Sequence, residues 1–60
     1  MNAGMLEQGQ VIQTDNGAAT VIRNEMLCGD FGFYSQITLD HNGAITVLEV
    51  APRKHFEVIA

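Results

Sequence analysis

The feature that most constrains this chain is a six-residue stretch that occurs twice. Asn16-Gly17-Ala18-Ala19-Thr20-Val21 returns 26 positions later as Asn42-Gly43-Ala44-Ile45-Thr46-Val47. In both copies a β-branched apolar segment runs into Asn-Gly and another runs out of it. Asn and Gly tolerate positive φ better than other residues, and a type I′ turn demands positive φ at both central positions. The pattern predicts two similar hairpins. It reads equally as a duplicated hairpin or as one turn problem solved twice.

The second hairpin has the cleaner strands. Ile37 and Leu39 alternate with Gln36, Thr38 and Asp40, and the return runs from Ala44 to Val50. A two-residue turn at Asn42-Gly43 sets Ile37 against Leu48 and Leu39 against Thr46. Ile37, Leu39, Ala44, Leu48 and Val50 then share one face, while Ile45 and Val47 lie on the other and need a second cover. The first hairpin is ambiguous, because Val11-Ile12 and Val21-Ile22 are adjacent apolar pairs. A turn at Asn16-Gly17 pairs Ile12 with Val21 and Val11 with Ile22. A three-residue turn with a bulge pairs Val11 with Val21, and one such slip exchanges the faces of a strand.

Between the hairpins, Asn24 to Ser35 breaks the alternation. It holds Gly29, Gly32 and three of the four aromatics, Phe31, Phe33 and Tyr34. The glycines would end any helix begun at Met26-Leu27, so the stretch is expected to be a loop or irregular crossover. Pro52 closes the second hairpin. Beyond it, Phe56 and Val58 alternate with His55, Glu57 and Ile59, the pattern of a fifth, edge-type strand. No helical period lasts ten residues. The expected fold is all-β, with about five short antiparallel strands and two Asn-Gly hairpins. It would be a small barrel of SH3-like or OB-like type, or an open meander sheet. Residues 1–8 show no periodicity and read as a flexible start, leaving 9–60 as one small β domain.

Size and charge narrow the function. Sixty residues bury little surface, yet 47% of them are hydrophobic, which favours self-association as a homodimer or higher oligomer. Seven acidic residues against three basic ones give a net charge of −4. That balance opposes broad nucleic-acid binding and binding to an anionic membrane surface. No signal peptide and no apolar run long enough for a membrane span is visible. The lone Cys28 excludes an internal disulfide, and a reducing cytoplasm is the simplest compartment.

Candidate chemistry is sparse. Cys28 stands near Glu25 and Asp30 and lacks the local cation that would activate a thiolate. His41, His55 and Cys28 are too few and too scattered for a zinc site. The carboxylates are spread evenly, with Asp15 and Asp40 beside turns. No phosphate-cradling loop or nucleophile elbow is present. The chain therefore reads as non-enzymatic and without a cofactor. The Gly-aromatic stretch from Gly29 to Tyr34 is the most suggestive. Its rings either fold back over the hairpins or form a contact surface.

Some of these residues have a familiar order: Glu7-Gln8-Gly9-Gln10-Val11-Ile12, the first Asn-Gly hairpin, Arg23, then Cys28-Gly29-Asp30-Phe31-Gly32-Phe33-Tyr34. This half of the chain resembles the N-terminal β segment of the RseC-like (SoxR-reducing) family, in which a cysteine cluster follows the hairpin and membrane helices come later. Only Cys28 remains of that cluster, with Phe31 and Tyr34 at the second and third positions. The resemblance implies a β fold for the segment. Without the other cysteines and the helices it does not carry over a redox, iron–sulfur or membrane role.

The best expectation is a small β module that acts by binding another protein or itself, with Phe31, Phe33, Tyr34, Ile45 and Val47 as contact residues. The alternatives are a redox- or metal-linked domain using Cys28 and, disfavoured by charge, an OB-type binder of single-stranded nucleic acid.

Overall fold

The computed structural model describes residues 1–60. Four strands form one antiparallel sheet in chain order: β1 (Val11–Thr14), β2 (Gly17–Gly29), β3 (Gly32–His41) and β4 (Ala44–Val50). The all-β, antiparallel expectation holds at this level, and the sheet curls into a half-barrel. Its only helical element is a 3-10 turn at Ala3–Met5. No helix is long and apolar enough to cross a membrane.

Three turns build the meander, and only one has positive φ at both central residues. Asn42 lies at φ 55° and Gly43 at φ 96°, between the paired residues His41 and Ala44. Ile37 lies opposite Leu48, and Leu39 opposite Thr46. The first turn differs from both expected registers. Its central residues are Asp15 and Asn16, with Thr14 paired to Gly17, Val11 to Thr20 and Ile12 to Ala19. Neither Asp15 nor Asn16 has positive φ; Gly17 takes that role at 101°. Thr14 selects the earlier turn, because its Oγ1 accepts from the Asn16 N–H at 3.2 Å and donates to the Gly17 carbonyl at 2.7 Å.

The stretch expected to be a loop is instead continuous hairpin. β2 and β3 stay paired from Arg23–Thr38 out to Gly29–Gly32, and Asp30-Phe31 turns the chain. Gly32 supplies positive φ at 111°, the same fourth-position use of glycine as in the first turn. A straight 13-residue strand would span about 40 Å at the usual rise. The molecule measures 32 × 20 × 19 Å, so β2 must bend.

The register shift between Val21 and Arg23 marks the bend. Val21 pairs with Leu39 and Arg23 with Thr38, so Ile22 is the extra, bulged residue. Without it, Arg23 would face Ile37 and turn its charge into the core. The bulge instead sets Asn24 against Ile37 and leaves Arg23 in solvent beside Glu25, with which it forms an ion pair. It also accounts for the adjacent pair Val21-Ile22: Val21 is buried and Ile22 is displaced to the surface.

The concave face of the sheet holds the core: Ile12, Ala19, Val21, Ile37 and Leu39, closed by Ala3, Leu6 and Phe56. Those last three come from the two chain ends, which cross this face bonded to each other. Ala3 N–H donates to the Lys54 carbonyl at 2.7 Å, Gly4 to Pro52 at 3.0 Å, and Phe56 to Met1 at 2.8 Å. Of residues 1–8, expected to be a flexible start, Ala3 and Leu6 pack into the core. Asn24, aimed inward by the bulge, donates from Nδ2 to the carbonyls of Ala3 at 2.8 Å and Leu6 at 3.0 Å.

The C-terminal segment runs along the outer edge of β1 but does not form the expected fifth strand. Val11 N–H donates to Ala60 and Gln13 N–H to Glu57, while Ile59 N–H donates back to Val11. Two residues on β1 answer three on the segment, so no regular ladder forms and only the Ile12–Val58 bridge is registered.

Gly43 gives a local test of the fold. Nothing lies within 4 Å of a Cβ built there, so Gly43→Val would strain only the backbone at φ 96°. A left-handed non-glycine residue costs roughly 1–2 kcal/mol, and a β-branched one belongs at the upper end. Urea unfolding should show that loss with the far-ultraviolet spectrum unchanged.

Candidate contact surface

Past Met26 and Ser35 the β2–β3 hairpin continues as a two-stranded arm. β1 pairs β2 only as far as Thr20, and β4 pairs β3 only as far as Ser35. A two-stranded ribbon has no second layer to bury its side chains. The cross-strand pairs define its faces. Met26–Ser35 and Cys28–Phe33 continue the concave side, and Leu27–Tyr34 the convex side.

Burial falls steeply along the concave side. Ser35 is fully buried, Met26 is 50% exposed, Phe33 68%, and Phe31 at the turn is wholly exposed. The chain ends stop covering this side near Met26, whose terminal methyl lies 3.2 Å from a Cβ built on Gly4. Met26 is half covered at that boundary, and beyond it two phenylalanines have no cover. Tyr34, on the other side, is half-buried. The rings of Phe31 and Phe33 therefore do not fold back over the hairpins.

Ile45 and Val47 lie elsewhere, on the convex side of β4, 58% and 55% exposed. They stand opposite Asp40 and Thr38, toward the end of β3 remote from the arm turn. Four of the five expected contact residues thus fall into two separate patches, Phe31 with Phe33 and Ile45 with Val47, and half-buried Tyr34 joins neither. Met26 joins the first and was missed from the sequence, because its side of β2 is readable only once the bulge at Ile22 is known. Also missed was the bare backbone edge of β4: its residues make no main-chain hydrogen bond outside the β3 pairing.

The groups considered for chemistry stay apart. Cys28 is exposed on the arm, its thiol 3.8 Å from the Gly29 carbonyl oxygen. Positions 28, 31 and 34, where the RseC-like pattern carries cysteines, fall on one face, the turn and the opposite face. No three His, Cys, Asp or Glu side chains are grouped to hold a metal ion. Ser35 Oγ and His41 Nδ1 are buried without a hydrogen-bond partner. A groove of about 410 Å³ opens at the mouth of the half-barrel, lined among others by Leu48, Phe56, Thr14, His41, Lys54 and His55.

No family model, curated protein or solved structure matches this chain.

Proposed function

We propose that this chain is a small non-catalytic β module that works by protein–protein contact, with the arm as its leading contact element. The observation that carries this is the uncovered apolar end of the arm: Phe31 fully exposed, Phe33 68% and Met26 50%. Only nine of the 60 residues are buried, so a chain this short of core leaves large side chains outside at a cost to its own stability. Aromatic residues and methionine are the types enriched at the centres of protein interfaces. Presented on a ribbon with open edges, they can insert between surfaces of a partner while the ribbon backbone supplies hydrogen bonds.

The reading is tested by placing a photo-crosslinking phenylalanine analogue at position 33 in the cell. Discrete adducts of defined mass are expected, with yield lowered by about tenfold or more when Phe31→Ser removes the neighbouring anchor. The same analogue at Ile59, exposed but off the arm, should give none. Equal adducts from both positions, or none from position 33, would overturn the reading.

A further inference from the structure

We infer that the open edge of β4 pairs with β4 of a second copy, in antiparallel register about Val47, to make one continuous eight-stranded sheet. This rests on the contact-module reading but names a different surface and a definite partner.

The two edges of the sheet are treated differently. The β1 edge is occupied by the chain's own C-terminal segment. The β4 edge is bare over seven residues and contains no proline, no lysine and no bulge, the usual devices that block edge pairing. In a two-residue hairpin the residues flanking the turn, here His41 and Ala44, form a hydrogen-bonded pair. The N–H and C=O groups of Ala44, Thr46, Leu48 and Val50 then point at β3. Those of Ile45, Val47 and Glu49 point outward, unpartnered.

The strand is complementary to itself. With a two-fold axis through Val47, Val47 meets Val47 of the partner subunit, Ile45 meets the partner's Glu49, Thr46 meets the partner's Leu48, and Ala44 meets the partner's Val50. No like charges stand opposite each other. The three outward residues of each strand supply about six main-chain hydrogen bonds across the junction. On the convex side Val47 and Ile45 of both copies become direct and diagonal neighbours, the cover these half-exposed side chains lack. Because the same β4 edge is used by both copies, the two-fold pairing is a closed dimer, where head-to-tail addition would give a fibre.

Sedimentation equilibrium of the full chain should give twice the 6.5 kDa chain mass. Val47→Lys and Val47→Glu each set like charges against one another at the axis. Each should weaken the dimer by about tenfold or more, with circular dichroism unchanged because Val47 is 55% exposed. Mixing the two variants should restore association as a heterodimer. Three results would overturn the proposal: a native chain still monomeric at about 1 mM, a mixture that stays monomeric, or a dimer indifferent to Val47→Lys but lost in Phe31→Ser/Phe33→Ser. The last leaves the arm reading standing, whereas crosslinks absent from position 33 in a normal β4 dimer would remove the arm reading alone.

Discussion

Phe56→Ala is expected to remove a large share of the protein's stability. Phe56 is 6% exposed and is the single aromatic of the buried cluster. Removing a buried phenylalanine costs about 3–5 kcal/mol, the transfer term plus the cavity it leaves. At the usual stability per residue, a domain of this length has roughly 3–9 kcal/mol in total. Here the loss should fall at the upper end of its range. Phe56 packs in the cluster that the chain ends close, and the single sheet has no second layer to collapse into the space its ring leaves. Its N–H also ties the C-terminal segment to the Met1 carbonyl at 2.8 Å, and weakening that segment exposes the β1 edge. Ile59→Ala, at a residue 52% exposed on the same segment, should shift stability by no more than about 0.5 kcal/mol. Urea unfolding followed by circular dichroism separates the two. A cooperative transition for Phe56→Ala within about 1 kcal/mol of native would show that the core does not depend on this ring.

What could be read from the sequence was what depends on neighbouring residues only. Asn42-Gly43 lies where strict alternation enters and leaves the turn, and its two residues have the backbone that dipeptide favours. Asn16-Gly17 looks identical locally, but Thr14 and Asp15 offer a competing turn one residue earlier, held by the threonine hydroxyl. Thr14-Asp15-Asn16-Gly17 and Gly29-Asp30-Phe31-Gly32 share aspartate at the second place and glycine at the fourth. That pattern was visible in the sequence and would have turned the expected crossover into a hairpin. The bulge at Ile22 was not visible. It follows from a non-local fact, that the next concave position faces Ile37 and cannot hold the Arg23 charge. The contact surface was half legible for the same reason. The aromatic cluster drew attention by composition, but whether a ring is covered depends on which distant segment crosses it. The chain ends cross at Ala3, Leu6 and Phe56 and stop short of Phe33.

Leu6→Ala should destabilise the protein by about 2–5 kcal/mol, the range for truncating a buried leucine. A loose start, as the absence of periodicity in residues 1–8 suggested, would make the same change nearly silent, within about 0.5 kcal/mol. Leu6 is 4% exposed and packs in the same cluster as Ile12 and Val21. Met5→Ala, at a neighbour 68% exposed, is the silent control. The size of the loss reports on the bulge as well as on packing. Ile22 is displaced so that Asn24 faces inward, and Asn24 holds the carbonyls of Ala3 and Leu6. Leu6 and Asn24 thus fasten one segment by independent means, apolar burial and hydrogen bonding. Removing either loosens what the other holds, so Leu6→Ala and Asn24→Ala should combine to less than their sum. Strict additivity in a double-mutant cycle would mean that the segment stays docked without either fastening, and that the inward turn of Asn24 is not what anchors it.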